Sequence, residues 1–219
     1  MKSITKQKPF DEVEMLIEKF NRIYLIGCGT CATMTKTGGI NEVRDLKKAL
    51  QSRGKLITGC IVIPTACDEM TAEMVKENEK AVQDAQCIIV MACALGVQRV
   101  NSSWPKPVIP ALDTLFIGME ESPGQFFEAC DQCGQCILGE TAGICPLTAC
   151  HKGLLNGPCG GTNNGKCEVD PEKDCAFTLI YERLKEQDRL DLLRKYHPPK
   201  NYHVMPRPKR TVLLLERGS

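Results

Sequence analysis

The chain has 219 residues and a mass of 24.2 kDa, with 28 basic and 27 acidic side chains and a formal net charge of +1 at pH 7. This length allows one large domain or two small ones, and the charge balance indicates no polyanionic partner. No apolar run approaches the roughly 20 residues that span a bilayer, and MKSITKQKPFDEVEM at the N-terminus lacks the apolar stretch of a secretory signal. Basic residues are not interleaved with aromatic ones, which disfavours nucleic-acid binding. We therefore expect a cytoplasmic protein without a membrane span.

Cysteine is the unusual residue of this composition, with 14 Cys against only 3 His. In a reducing compartment, thiols in such numbers more often bind metal than form disulfides. The scarcity of histidine disfavours a His-rich zinc or copper site. The composition therefore predicts sulfur-ligated metal.

Residues 1–120 are predicted to form an α/β domain. A helix is predicted over residues 1–20, and β-rich runs then alternate with amphipathic helices. The predicted strands are 22–28, 55–64, 86–93 and 107–118, and the predicted helices are 41–54 and 70–85. This alternation favours a small, Rossmann-like parallel sheet with helices on its faces.

The sequence pattern changes at about residue 121. Residues 121–200 are predicted to form a loop-rich, cysteine-rich metal-binding module followed by a helix over 176–196. A segment so rich in loops buries too little apolar surface for packing alone to stabilise a fold. We therefore expect bound metal to stabilise this module. Residues 201–219 form a basic, extended tail whose VLLLE run at 212–216 is suited to docking as a strand.

The first cysteine group lies at the predicted strand ends. Cys28 ends the first strand and Cys31 lies just beyond it, Cys67 follows the second strand, and Cys93 ends the third. Open α/β sheets bind their ligands at the carboxyl ends of the strands, so we expect these four thiols to converge. Four thiolates suit a [4Fe–4S] cluster or a Cys₄ zinc site.

Two other interpretations apply to this half of the chain. Residues 27–32, GCGTCA, also read as the dinucleotide fingerprint G-x-G-x-x-A, but Thr and Gly residues within 35–39 delay the following helix. The second strand, ending at 62–64, supplies no carboxylate for a ribose. The cysteines could also be ordinary core residues, and this is our interpretation of Cys60 and Cys87, which lie inside apolar strand runs.

The second cysteine group begins like a ferredoxin motif. Its members are Cys130, Cys133, Cys136, Cys145, Cys150, Cys159, Cys167 and Cys175. The first three follow the C-x₂-C-x₂-C spacing, and Cys145 precedes a proline, although the gap before it is longer than in the bacterial run. Eight thiols allow two four-ligand sites, one cluster with a structural zinc, one cluster with spare thiols, or an all-zinc module. The spacing does not choose among them.

No known catalytic motif accompanies these cysteines in the sequence. The chain contains no G-x-S-x-G, Walker loop, H-E-x-x-H or kinase signature. Metal clusters without acid–base residues indicate an electron conduit whose chemistry lies on another polypeptide.

The cysteine motifs resemble those of a known family. The cysteine-rich stretch, with NGPCGG at 156–161 and CEV at 167–169, resembles the C-terminal domain associated with methylenetetrahydrofolate reductase. Further motifs are GCGTCAT at 27–33, ACD at 66–68, CALGVQ at 93–98 and PALDTLF at 110–116. With them, residues 10–200 resemble the small MetV-type iron–sulfur subunit of that enzyme. Ala94 stands where the family pattern has glycine.

The resemblance implies a function and a partner. The subunit would carry [4Fe–4S] clusters, two by our expectation, and in some accounts zinc. It would accept electrons from ferredoxin or a larger redox complex and pass them to the flavin of a MetF-type (β/α)₈ flavoprotein, which reduces 5,10-methylenetetrahydrofolate to 5-methyltetrahydrofolate. The family cysteines map onto Cys28, Cys31, Cys67, Cys93, Cys130, Cys133, Cys136, Cys145, Cys150, Cys159, Cys167 and Cys175.

Two alternatives belong to other functional classes. The chain could be a zinc-stabilised scaffold subunit without a redox function. It could also carry out folate or methyl-group chemistry itself, for which Asp68, Glu69 and Asp113 are the candidate acid–base residues. The expectation of an electron-transfer subunit, non-catalytic by itself, is the one that the cysteine groups favour.

Overall fold

A computed structural model describes residues 2–201 of the chain. The tail predicted over 201–219, with its VLLLE run, therefore lies outside the described residues except for its first residue. The chain divides into two compact units, Met1–Phe127 and Glu128–Ser219.

The first unit contains seven strands and six helices among its described residues. In chain order they are β1 (Lys2–Gln7), α1 (Phe10–Leu16), β2 (Arg22–Cys28), α2 (Cys31–Met34), α3 (Ile40–Ser52), β3 (Leu56–Ile63), α4 (Thr71–Glu77), α5 (Glu79–Asp84), β4 (Cys87–Met91), α6 (Ala94–Ser103), β5 (Val108–Pro110), β6 (Leu112–Ser122) and β7 (Gln125–Glu128).

A four-stranded sheet in the order β3-β2-β4-β5 forms the centre of this unit, and every strand pair in it is parallel. β2 and β4 are the inner strands, and their Ile, Leu and Val side chains are almost completely buried. Continuous apolar runs of β-branched residues are typical of strands that are covered on both faces. The predicted α/β class is confirmed.

A second sheet contradicts two details of the prediction. β1, β6 and β7 form it, with β1 antiparallel to β6 from Lys2 opposite Gly118 to Gln7 opposite Leu112. The helix predicted over residues 1–20 is therefore wrong for its first third, because long-range strand pairing overrides a weak local preference. The strand predicted over 107–118 is divided between the two sheets, since β5 extends the parallel sheet whereas β6 pairs with β1.

The two cysteines interpreted as core residues differ in the structure. Cys87, in the inner strand β4, is 0% exposed, as predicted. Cys60 is exposed, so its predicted burial is wrong. β3 is the edge strand of the parallel sheet and its side chains are mostly only half-buried, so an apolar strand sequence did not guarantee burial on both faces.

The second unit has little regular structure among its described residues. It contains α7 (Pro146–Ala149), α8 (Ala176–Glu186) and a 3₁₀ helix (Leu190–Arg194). Among the described residues, its hydrophobic core cluster consists of the buried side chains of Phe177, Ile180 and Leu184. The helix predicted over 176–196 therefore ends early, and Asp188 beyond it has a left-handed φ of 53°, which interrupts an α-helix.

Within residues 2–201, no helix combines the length and the apolar character needed to cross a membrane.

Candidate functional site

The first four candidate cysteines lie at one end of the parallel sheet. Cys28 is the last residue of β2 and Cys31 the first of α2, while Cys67 lies in the loop after β3 and Cys93 immediately precedes α6. Because β2 has β3 and β4 as parallel neighbours, the carboxyl ends of these three strands lie side by side. The topology therefore carries all four thiols to the same edge.

These four cysteines line one cavity of about 70 Å³. The remaining wall is formed by small or apolar residues, namely Ser3, Thr30, Ala32, Ala66, Ala92, Leu95 and Gly96. Cys28 and Cys93 are 5% and 7% exposed, whereas Cys67 is open to solvent. The predicted convergence of Cys28, Cys31, Cys67 and Cys93 is thus present as a shared cavity.

Hydrogen bonds favour the thiolate form of Cys28. Burial by itself raises the pKa of this thiol, but the Thr30 hydroxyl and backbone hydrogen bonds from Ala66, Thr30 and Ala32 together lower its pKa below the ordinary value. The Cys28 sulfur lies 3.4 Å from Oγ1 of Thr30. Donors aimed at sulfur stabilise the negative charge that a metal-binding thiolate carries.

Cys67 shows the opposite effect. Burial raises the pKa of its thiol, and the like charges of Cys93, Cys28 and Cys31 raise it further. The negative charges of neighbouring thiolates therefore disfavour ionisation of Cys67.

Backbone contacts fix the loop that carries Cys28. Its N–H donates to the Gly38 carbonyl at 3.0 Å, and the N–H of Gly29 donates to the Ile63 carbonyl at 2.8 Å. A Cβ atom on Gly38 would lie 2.1 Å from the carbonyl oxygen of Met91, so only glycine allows this approach. As the sequence predicted, the fingerprint-like GCGTCA does not lead directly into a long helix, because α2 has four residues and α3 begins at Ile40.

The donor set suits sulfur-ligated metal, since cysteine thiolates are the ligands of iron–sulfur clusters and of Cys₄ zinc. In the part of the chain that the structure describes, however, no three His, Cys, Asp or Glu side chains are positioned to hold a metal ion. The four thiols share a cavity wall without meeting at ligand distances.

The candidate acid–base residues have structural contacts. The Asp113 carboxylate is 2.6 Å from the Lys8 ammonium, and hydrogen bonds to Asp113 and Glu12 raise the pKa of Lys8. The Asp68 carboxylate accepts from the Met70 N–H at 3.1 Å. The Arg99 guanidinium donates to the backbone carbonyls of Asp68 and Glu69.

The ferredoxin-like half of the second cysteine group lies in irregular chain. Cys130 and Cys136 are exposed, and Cys133 and Cys145 are half-buried. Cys145 immediately precedes α7, whose first residue is Pro146. Sγ of Cys130 accepts the N–H of Gln132 at 3.3 Å.

The other half of this group is gathered around a single cavity. Cys150, Cys159, Cys167 and Cys175 line a space of about 20 Å³. Cys150 follows α7, Cys175 precedes α8, and Cys159 and Cys167 lie in the intervening loops. The structure therefore separates eight cysteines that the spacing had left ungrouped.

Two charged residues at this second cavity are not among the site residues that the sequence predicts. Lys152 and Glu168 line it and form an ion pair, and the Cys159 thiol lies 3.4 Å from the Glu168 carboxylate, to which it donates. Glu168 directly follows Cys167, and Lys152 is two residues after Cys150. This adjacency was the available signal.

A larger cavity of about 440 Å³ in the second unit was also missed. Its wall includes Glu140, Asn156, Tyr181, Lys195 and His197. Glu140 is 2.5 Å from the Lys195 ammonium and 3.3 Å from Nδ1 of His197. The hydrogen bond from Lys195 lowers the pKa of Glu140. Asn156 and His197 exchange two side-chain–backbone hydrogen bonds, which fix the segment after the 3₁₀ helix.

Two solved structures resemble part of this chain distantly. A putative branched-chain amino acid ABC transporter from Rhodospirillum rubrum is 17% identical, with a TM-score of 0.34, over 46% of this chain and 28% of that protein. Arylmalonate decarboxylase is 14% identical, with a TM-score of 0.32, over 47% of this chain and 46% of that protein. No curated protein matches.

A family model gives the informative comparison. Residues 109–203 match the family described as "Methylene-tetrahydrofolate reductase C terminal". The matched segment contains all eight cysteines of the second group and none of the first. Over these residues the chain is similar to the C-terminal region of methylenetetrahydrofolate reductase, as its cysteine motifs predict.

Proposed function

We propose that this chain is the electron-transfer subunit of a methylenetetrahydrofolate reductase complex. It accepts electrons from ferredoxin or a larger redox complex and passes them to the flavin of a MetF-type catalytic subunit, which reduces 5,10-methylenetetrahydrofolate to 5-methyltetrahydrofolate. The match of residues 109–203 carries this proposal, because it links the chain to that enzyme through a segment that contains none of the first cysteine group.

The first unit supports the redox part of the proposal. Cys28, Cys31, Cys67 and Cys93 line one cavity at the ligand-binding edge of the sheet, and we assign them to a [4Fe–4S] cluster. A second cluster is assigned to the second unit, where Cys130, Cys133, Cys136 and Cys145 keep the ferredoxin-like motif. Bound clusters supply one-electron transfer.

The residues of this chain hold and tune such a group. The Thr30 hydroxyl and the backbone donors around Cys28 stabilise thiolate charge, and the close approach of Gly38 to Met91 fixes the loop that presents Cys28. Apart from the four thiols, no side chain that lines the cavity is a carboxylate, an imidazole or an amine. These properties suit electron transfer.

The test begins with anaerobically purified full-length chain and its iron, sulfide and zinc contents and visible absorption. We expect iron with matching sulfide, and reduction of the partner's flavin when reduced ferredoxin is supplied. Cys67→Ser should lower the iron content and slow flavin reduction at least tenfold. Cys60→Ser is the matched control, because Cys60 is also exposed but does not line the cavity.

The zinc-scaffold alternative makes the opposite prediction. The small core of the second unit supports this alternative. Such a unit needs additional stabilisation by bound metal, and a metal that is not redox-active would also supply it. The scaffold hypothesis would replace the electron-transfer hypothesis if the chain contained zinc alone and showed no visible absorption. The activity of the partner, measured with a chemical electron donor, would then be unchanged. Loss of complex activity on substituting Asp68, Glu69 or Asp113, with metal content intact, would instead support folate chemistry on this chain.

A further inference from the structure

The larger cavity of the second unit has the dimensions of a small-molecule site. Its volume of about 440 Å³ falls within the roughly 300–1,000 Å³ that is usual for ligand pockets in proteins. Well-separated segments of the chain supply its wall, and none of the 14 cysteines is part of that wall. The electron-transfer function proposed above therefore gives this space no role.

Most of the cavity wall is apolar. Phe177 and Ile180 on α8 are buried and line the cavity. A loop before α8 and the 3₁₀ helix after it add further apolar side chains, namely those of Leu155, Pro158, Leu192 and Leu193. Ligand pockets typically combine a wall of this kind with a few polar groups that fix the orientation of the ligand. The wall favours a ligand whose body is apolar, because contact with it removes apolar surface from water.

The polar side of the cavity contains an acceptor that lacks a donor. Oε1 of Glu140 accepts a hydrogen bond from the Lys195 ammonium at 2.5 Å. Oε2 of Glu140 is buried and has no hydrogen-bond partner among residues 2–201. Nδ1 of His197 lies 3.3 Å from this oxygen without forming a hydrogen bond to it, and two hydrogen bonds with Asn156 hold the His197 backbone in place. Because nearly all buried polar atoms have a partner, Oε2 marks the point at which a donor on a ligand would be stabilised.

The charges around this oxygen disfavour a charged ligand. The hydrogen bond from Lys195 lowers the pKa of Glu140, and the charges of Lys195, His197 and Lys200 lower it further. The carboxylate is therefore ionised at neutral pH and can only accept hydrogen bonds. A cationic ligand would be repelled by the two lysine ammonium groups, and an anionic ligand by the carboxylate itself. An uncharged N–H or O–H group avoids both repulsions and supplies the hydrogen bond that Oε2 lacks.

We propose that this cavity binds an uncharged, largely apolar small molecule, with an N–H or O–H group of the ligand donating to Oε2 of Glu140. The inference goes beyond the electron-transfer function and does not depend on it. Hydrogen bonds to charged groups are among the stronger ones in proteins. A molecule with such a donor should therefore bind more tightly than a molecule of the same shape without it.

The test compares related aromatic probes on the full-length chain by ligand-observed NMR titration. Indole is uncharged and has one N–H donor, whereas 1-methylindole has the same ring system without the donor. We expect indole to bind at least about tenfold more tightly than 1-methylindole. Tryptamine and indole-3-acetate add a positive and a negative charge, and indole-3-acetamide is an uncharged molecule of similar size. We expect the acetamide to bind more tightly than either charged probe.

Variants then assign the binding to the cavity. Glu140→Gln removes the charged acceptor and should reduce the preference for indole over 1-methylindole to less than about threefold. Leu193→Trp narrows the space but leaves the carboxylate in place, so it should weaken the binding of both probes. Glu182→Gln is the matched control, because Glu182 is also a carboxylate of the second unit but does not line the cavity. It should change neither affinity.

The comparison of indole with 1-methylindole needs no variant and so is unaffected by misfolding. Equal affinities of these two probes for the unmodified chain would overturn the role of Oε2, and a lack of saturable indole binding would overturn the site. An undiminished preference for indole in Glu140→Gln that has kept its circular dichroism spectrum would place the binding elsewhere and also refute the proposal.

This proposal and the proposed function can fail separately, because the titrations require neither iron nor flavin. Selective indole binding by a chain that contains no iron would support the cavity site and remove the electron-transfer function. Iron with flavin reduction, in a chain that does not distinguish indole from 1-methylindole, would do the reverse.

Discussion

Replacing Ile180 by alanine tests how the second unit is held together. Ile180 is 0% exposed and packs with Phe177 and Leu184, the other two buried hydrophobic side chains of that core. Burial of such a side chain contributes about 1.5–3 kcal/mol, so three contribute roughly 5–9 kcal/mol before chain entropy is subtracted. Ile→Ala in a packed core costs about 2–5 kcal/mol. Ile180→Ala should therefore remove a large fraction of the packing energy of this unit.

Hydrogen exchange of the full-length, metal-depleted chain measures this loss directly. A destabilisation of 2 kcal/mol corresponds to about 30-fold faster exchange of the α8 amides through unfolding of the unit. Tyr181→Ala is the control on the same helix, because Tyr181 is exposed and surface substitutions usually stay within about 0.5 kcal/mol. Less than about threefold acceleration in Ile180→Ala, or equal acceleration in both variants, would refute the argument that these three side chains hold the unit.

Three further substitutions test the first unit, each by urea denaturation. Tyr24→Phe should raise the free energy of unfolding by about 1 kcal/mol, because the buried Tyr24 hydroxyl has no hydrogen-bond partner among residues 2–201. Burial raises the pKa of Tyr24 from 10.0 to about 12, so the wild type should lose stability as pH rises between those values and Tyr24→Phe should lose less. Gly38→Ala should lower the free energy of unfolding by about 1–3 kcal/mol, since the alanine Cβ would overlap the Met91 carbonyl. An unchanged urea midpoint would show that the loop shifts to accept the methyl group without loss of stability. Cys87→Ser should cost about 1–3 kcal/mol by burying an unpaired hydroxyl, whereas Cys60→Ser should stay within about 0.5 kcal/mol, and equal costs would contradict the difference in burial.

The α/β architecture of the first unit was predictable because its signal is local. Runs such as Arg22–Cys28 and Cys87–Met91 combine β-branched apolar residues with flanking helical periodicity, and that combination predicts buried parallel strands. The partners of β1 were not predictable in the same way. Its six residues, KSITKQ, become a strand only because β6, more than 100 residues later in the chain, offers an unpaired edge.

The exposure of Cys60 shows a second limit of sequence analysis. The run around it is as apolar as that around Cys87, but β3 is an edge strand and β4 an inner one. Strand order depends on how crossover helices pack, and an apolar run by itself does not encode it. The sequence therefore predicted both strands correctly, but it predicted the burial of the cysteine correctly in only one of them.

By itself, the sequence determined that the chain has an α/β half and a cysteine-rich half, and that Cys28, Cys31, Cys67 and Cys93 lie at or just after the ends of neighbouring strands. Strand ends of a parallel sheet converge by geometry, so spacing was sufficient there. Only the tertiary structure decided that Cys150, Cys159, Cys167 and Cys175 share a cavity apart from the ferredoxin-like set. The second unit has little regular structure to fix a period or a register, so the meeting of its loops depends on long-range hydrogen bonds and on a small core, which no local pattern of residues specifies.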